Sequence, residues 1–482
     1  MNAIASAAAG PAAETLPVIV IGAGPVGLAA AAHLIARGIP VRLLEAAADV
    51  AAHVRDWGHV KLFSPWVYNI DKEARALLHK AGWQEPLPLA YPTGAQLYEL
   101  YLKPLAETPE LSAVIETGAR VTAVSRAGHD KMMSPGREQA PFVVMVHKSD
   151  GSARADLARA VIDTSGTWSR PSPIGAHGLP VPGEAANAGR IAYGIPDILG
   201  RDIDTYANRH VLVVGGGHSA ANGLLDLAQL AADRAPDTRI VWAVRGSSLK
   251  RLFGGGENDR LEARGALGRA LETLVETGGL ELHMRSAVAR IEAAGSALAV
   301  TLTQPDGAAE VVGVDRIIVA TGLRPDLEML RELRLALDPV TESPRVLAPL
   351  IDPNLHSCGT VRPHGHRELA QPDTGFYIAG IKSYGRAPTF LMATGYEQVR
   401  SIAAALAGDM AAADDVQLEL PETGVCSSDP GEGGGCCEAA TEGAGCTTVR
   451  ETVPTTGEKA CCGAGKPRVT VTAAVAPAKG CC

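Results

Sequence analysis

Apolar residues are grouped in short unbroken blocks that switch, after a glycine-rich turn, to helical spacing, and this alternation occurs twice. In "LPVIVIGAGPVGLAAAAHLIARGIPVRLLEAA" the run Val18 to Ile21 predicts a buried strand, followed by a tight turn, a helix and a second strand closed by Glu45. In "HVLVVGGGHSAANGLLDLAQLAADRAPDTRIVWAVRG" the same order predicts a strand over 211–214, a turn, a helix and a strand over 240–244. Two further strands, in "RAVIDTSGTWSRPSP" and "RIIVATGLRPDLEML", each run into a small Thr/Gly turn, the second containing Gly322. "GFYIAGIKSYGRAPTFLMATGYEQVRSIAAALAGDM" predicts a strand over 375–379, a turn at Gly380 and a long helix starting near Pro388, where proline fits the first turn. Beyond Gly408 no strand or helix face is sustained.

Strand and helix in alternation predict an α/β protein with two Rossmann-like domains and parallel sheets. The expected organisation is a first nucleotide domain over 16–200, a second over 205–325 inserted into it, a return to the first over 326–410, and an appendage over 411–482. That appendage is too rich in Gly, Thr and Ala to bury its own core.

The turns carry chemistry. Gly22, Gly24 and Gly27 form GxGxxG between a strand and a helix, and an acid follows about twenty residues later. Gly22 makes the tight turn, Gly24 admits a pyrophosphate to the backbone, Gly27 lets helix and strand pack closely, and Glu45 accepts from ribose hydroxyls. In the second unit Gly215, Gly217 and Ala220 repeat the pattern, but Arg245 stands where an acid would end the second strand, with Ser247, Ser248, Lys250 and Arg251 beyond it. A guanidinium there suits a 2′-phosphate, and so NADPH over NADH. Two dinucleotide units in one chain imply that one nucleotide reduces the other, the organisation of an NADPH-reduced flavoprotein.

Composition narrows the partners. The chain has 482 residues, 46% hydrophobic, with a formal net charge of -9. That balance disfavours nucleic acid, which demands a concentrated basic surface. The glycine code divides the N-terminal apolar run, so neither a membrane span nor an export signal is expected, and the cytoplasm is the expected location. The oligomeric state stays open, a homodimer included.

These motifs together resemble the two-dinucleotide-binding-domain flavoproteins, the superfamily of thioredoxin reductase and the class B flavin monooxygenases, over residues 16–410. The resemblance implies that Gly22, Ala23, Gly24, Pro25, Gly27 and Glu45 hold the ADP half of FAD. It assigns Gly215, Gly217, His218, Ser219, Ala220 and Arg245 to NADPH, and Gly322, Gly380 and Ile381 to the turns beside the cofactors. Many relatives have an acid after that last glycine to bind the ribityl chain, whereas this chain has Ile381, followed by Lys382 and Ser383. More narrowly, "WGHVKLFSPW" with "KSYGRAPTFLMATGYEQVR" resembles bacterial flavin oxidoreductases or monooxygenases that accompany arsenic-resistance genes. The class B fingerprint is incomplete: "AYGIPDILGRD" carries Ala192 and Ile198 where that pattern has Phe and His.

Residues expected at the reaction centre are Trp57 and His59 after the first domain's acid, with Lys382, Tyr384 and Arg386 from the last loop. Neither the segment after Glu45 nor the second nucleotide domain has a cysteine, so a redox dithiol beside the flavin is not expected. A flavin without one points to molecular oxygen as acceptor and to a soft sulfur, nitrogen or trivalent arsenic substrate. Eight of the nine cysteines lie at the end of the chain: Cys426, Cys436, Cys437, Cys446, Cys461, Cys462, Cys481 and Cys482. Adjacent cysteines are held about 3.8 Å apart at Cα, below the usual bridging range, and in a reducing compartment they are soft-ion donors. The final pair resembles that of mercuric reductase. Two alternatives remain beside the enzyme: a soft-metal binding or delivery protein with a regulatory flavoprotein body, and a disulfide- or mercury-type reductase that uses the tail thiols.

Overall fold

The computed structural model describes residues 15–253, 262–353 and 361–418. Sixteen strands lie among them. The first half contributes β1 (Val18–Ile21), β2 (Val41–Leu44), β3 (Ile115–Glu116), β4 (Ala119–Arg126), β5 (Phe142–Lys148), β6 (Ala153–Ala158), β7 (Ala160–Asp163) and β8 (Ile191–Tyr193). The second contributes β9 (His210–Val214), β10 (Arg239–Ala243), β11 (Glu281–His283), β12 (Ala287–Ala294), β13 (Ala297–Thr303), β14 (Ala309–Val314), β15 (Arg316–Val319) and β16 (Phe376–Ile378).

Two five-stranded sheets carry the architecture. The first has the order β16-β7-β1-β2-β3 and the second β11-β10-β9-β15-β8, and every pairing in both is parallel. Each is accompanied by an antiparallel three-stranded meander, β4-β5-β6 or β12-β13-β14. β1, β7 and most of β9 are wholly buried, as apolar runs without alternation require when both faces of a parallel sheet are covered. The meanders alternate instead: β13 reads inward at Leu298, Val300 and Leu302 and packs one face only.

The strands of the second sheet fall in sequence between β7 and β16 of the first. The second sheet begins at β8, upstream of the boundary at 205, because Ile191–Tyr193 pairs with β15 as an edge strand too short to announce itself by pattern. The long C-terminal helix spans Met392–Leu406 and does not start near Pro388. A 3-10 turn over Gly380–Tyr384 and then Gly385, whose positive φ leaves no room for a side chain beside the Thr341 carbonyl, hold the chain out of helix until Leu391 caps it.

The folded part also runs past Gly408. Met410–Asp414 forms a short helix capped by Asp409, which accepts from the Ala412 amide at 3.0 Å. Arg400 donates to the carbonyls of Ala412 and Asp415, and Asp414 pairs with His366 and Arg367. Residues 411–418, expected to open the appendage, are anchored through the Ala412 and Asp415 carbonyls and the Asp414 side chain, contacts that leave no hydrophobic period to read. All nine cysteines, Cys358 included, lie outside the described residues.

Candidate functional site

A cavity of about 650 Å³ opens at the carboxyl ends of β1, β2 and β7, where an open parallel sheet places its ligands. Its floor is the first glycine turn. Gly22 has φ +95°, and a Cβ there would lie 2.9 Å from the Ser165 backbone. A Cβ on Gly27 would strike the Gly22 carbonyl at 1.8 Å, so only glycine lets the helix Pro25–Ala36 sit on the turn. Gly24 meets nothing within 4 Å, which leaves its backbone open to a close ligand. The helix has Pro25 in its first turn and no side-chain cap, which leaves its first-turn amides and dipole available to an anion. These three glycines meet the steric conditions for a dinucleotide pyrophosphate, and the cavity fits FAD.

Glu45 follows β2 on the cavity wall and accepts from the amides of Ala23 at 2.7 Å and Ala47 at 2.8 Å. The acid thus braces the turn, and its remaining lone pairs are available to a ribose. The opposite wall is the turn after β7, where the Thr164 hydroxyl donates to the carbonyls of Ile21 and Gly22 at 2.8 and 2.9 Å. Gly380, at φ +70°, Ile381 and Lys382 bring the β16 end to the same cavity, and Trp57, Trp168, Phe390 and Met392 add an apolar side. Gly380 donates its amide to Gln398 at 2.8 Å. Gln398 in turn donates to Ser383 and to His364, whose other ring nitrogen donates to the Arg362 carbonyl. Burial pushes the His364 imidazole below its usual pKa, which keeps it neutral and able to accept.

Lys382 is paired with Asp163 at 2.6 Å, both side chains wholly buried. Asp163 escaped the sequence reading because its partner is 219 residues away and its strand looks like any apolar run. The expected reaction-centre residues are only partly assembled. Trp57 and Lys382 line the cavity, but Tyr384 does not: it is buried in the core between His364 and Phe390. Arg386 is exposed and paired with Glu342 at 3.2 Å. His59 lies outside the cavity lining, with a buried Nε2 that has no hydrogen-bond partner among the described residues.

In the second motif Gly215 has φ +142°, and a Cβ there would lie 2.3 Å from the Ala320 carbonyl. Gly217 caps the 16-residue helix His218–Asp233 without a side-chain bond, Ser219 follows in the first turn, and Ala220 is fully buried. Phe63 of the first domain packs against His218 with the rings tilted at 60° and their centroids 5.1 Å apart. Gly322, at φ +93°, turns the chain after β15 and accepts from the Ser172 amide. Arg245 is exposed just beyond β10 and donates one N–H to the Ala176 carbonyl. Arg285 stands beside it, because its amide holds the Gly246 carbonyl, and its side chain carries no ion pair among the described residues. The exposed Arg245 guanidinium at this edge is the group expected to meet a 2′-phosphate.

Glu281, His283 and Glu310 also cluster, with one ligand atom from each within 4.8 Å of the others. Glu281 lies 2.7 Å from one ring nitrogen of His283 and Glu310 3.3 Å from the other. Among the described residues, no helix is long and apolar enough to cross a membrane.

Two parallel dinucleotide sheets, with a glycine cradle at the carboxyl edge of each, define a two-dinucleotide-binding-domain flavoprotein oxidoreductase, with FAD and NADPH as its cofactors. The chain belongs to the pyridine nucleotide-disulphide oxidoreductase family, whose match runs over residues 16–342. No curated protein sequence matches it. Among solved structures it is similar to a bacillithiol disulfide reductase from Bacillus cereus, at 21% identity and a TM-score of 0.60, over 82% of this chain and 99% of that one. It is also similar to the FAD-bound cadaverine monooxygenase from Erwinia amylovora, at 14% identity and 0.59, over 86% and 99%. A third is the ornithine hydroxylase from Pseudomonas aeruginosa, at 18% and 0.55, over 82% and 99%. At these identities the likeness is one of fold.

Proposed function

We propose that the protein is a monooxygenase-like enzyme in which NADPH reduces FAD and oxygen is the acceptor, acting on a soft arsenic or sulfur substrate in metalloid detoxification in the cytoplasm. The observation that carries this reading is the cavity wall: it holds no thiol, since no cysteine occurs among the described residues. A reductase with an internal dithiol carries it beside the flavin, whereas Trp57, Trp168, Phe390 and Met392 stand on the described lining here. When bound, FAD supplies two-electron chemistry and the site at which oxygen is activated. The protein's part is to cradle the diphosphate at Gly22–Gly27, hold ribose at Glu45, present NADPH from Gly215–Ala220 and Arg245, and exclude water with the apolar side. Lys382 is the polar group of the reaction centre, and Trp57 shapes its wall.

The eight clustered cysteines support a second element of the reading. Cys426, Cys436, Cys437, Cys446, Cys461, Cys462, Cys481 and Cys482 capture a thiophilic ion, arsenic(III) above all, and deliver it to the flavin site of the same or a neighbouring subunit. NADPH loss and arsenite binding are compared for the full chain and for a chain ending before Cys426. Retained FAD and NADPH reduction with a raised KM for dilute arsenicals supports delivery. Identical binding and turnover in both chains contradicts it, and turnover that needs the tail and a disulfide but no oxygen identifies a thiol reductase instead.

A further inference from the structure

β11 is an edge strand of the second sheet and β14 an edge strand of the β12-β13-β14 meander, and the two edges bring three metal-ligating side chains to one spot. Glu281 and His283 stand two residues apart on β11, so the pleat turns both to one face, and Glu310 reaches them from β14. Glu281 Oε1 lies 2.7 Å from His283 Nε2 in hydrogen-bond geometry. A carboxylate only accepts, so Nε2 carries the proton and donates. In the neutral ring Nδ1 is then a bare lone pair, and the group facing it at 3.3 Å is a second carboxylate, Glu310 Oε2. Two acceptors so opposed repel each other. Nδ1 makes no hydrogen bond among the described residues although the His283 side chain is only 10% exposed, and neither glutamate has a lysine or arginine partner among them.

A positive centre between Nδ1 and Glu310 turns this opposition into attraction. Zinc bonds to imidazole nitrogen and carboxylate oxygen are about 2.0–2.2 Å long and meet near the tetrahedral angle, which sets the two ligand atoms about 3.3–3.5 Å apart. The 3.3 Å between Nδ1 and Glu310 matches that span. Glu281 stands where metal-bound histidines keep an outer carboxylate, which takes the other N–H and fixes the ring and its tautomer. We propose that His283 Nδ1 and Glu310 bind a divalent ion of the zinc type, with Glu281 as the residue that orients the ring. An imidazole with a carboxylate suits zinc better than calcium or magnesium, which favour oxygen alone. Glu310 is 58% exposed, so water completes the coordination. The ion clamps the edge of the second sheet to the edge of the meander.

The test uses the full chain, whose clustered C-terminal cysteines are common to every variant and cancel in the comparison. In equilibrium dialysis against Zn2+ the wild type should hold one equivalent more than His283→Ala or Glu310→Gln, and Zn2+ should raise its Tm by more than it raises theirs. Glu281→Gln should keep the extra equivalent and bind it about tenfold more weakly, as loss of an outer partner does. Anomalous scattering from wild-type crystals grown with Zn2+ should place a peak bonded to His283 Nδ1 and Glu310, a reading that stands whether or not a variant folds. Equal zinc content in the wild type and both ligand variants, or crystals with no anomalous peak at His283, overturns the inference. A His283 ring that keeps a proton on both nitrogens at neutral pH in saturating Zn2+, read by NMR, overturns it as well and leaves the cluster an ion-paired imidazolium.

Discussion

At the scale of single residues, Glu45 does two jobs with one carboxylate. It braces the turn through the Ala23 and Ala47 amides, and it keeps lone pairs for the cofactor ribose. Glu45→Ala is expected to weaken FAD binding by about 1.5–3 kcal/mol, the worth of a charge-assisted hydrogen bond, as measured by equilibrium titration with FAD. Arg245→Ala should narrow the preference for NADPH over NADH in anaerobic flavin reduction, and Arg245→Ala with Arg285→Ala should narrow it further. Equal use of both nucleotides by the wild type would remove the 2′-phosphate role. Glu45 and the glycines were legible because their tasks are fixed by local spacing around one turn. Asp163, Gln398 and Arg285 were not, since each acquires its place only when segments distant in sequence are brought to one sheet edge.

At the scale of elements, the helix His218–Asp233 carries a partly buried acid. Desolvation, and then repulsion from Asp197, push the Asp226 carboxyl up to about 6. A raised acid binds its proton more tightly in the folded state, so stability declines as pH rises from the unfolded value near 4 through 6, and stays lower above that. Asp226→Asn should abolish this decline and stabilise the protein at pH 7 to 8, by up to about 3 kcal/mol, in thermal melts taken across pH. The C-terminal elements make a second prediction. A chain ending at residue 418 should melt as the full chain does, whereas one ending at Gly408 should melt at a lower temperature. The shorter chain loses the Asp414 pairs and strands the buried Arg400 without the Ala412 and Asp415 carbonyls. Strand periodicity announced β1, β9, β10 and β16 within a residue or so, because each is an apolar run bounded by glycine. The late start of the helix at Met392 was hidden, since Pro388 satisfies the rule for a first turn as well as it satisfies the loop it occupies.

At the scale of the whole molecule, two sheets of the same parallel design are joined so that Phe63 of the first domain touches the first residue of the second domain's nucleotide helix. The two nucleotide motifs thus belong to one folded unit that spans the described residues. A cofactor that binds the folded state alone stabilises it by mass action, about 2.7 kcal/mol at a hundredfold excess over its dissociation constant, so FAD should raise Tm in a concentration-dependent way. The central claim is that this unit passes electrons from NADPH to FAD and on to oxygen without a protein dithiol. The most direct measurement is a single-turnover experiment on the FAD-loaded chain ending at residue 418, which keeps Cys358 and none of the eight clustered cysteines. The visible flavin band should bleach with one equivalent of NADPH under anaerobic conditions and return when oxygen is admitted. A flavin that NADPH leaves oxidised, or that is reduced only when the C-terminal cysteines are present, would contradict it.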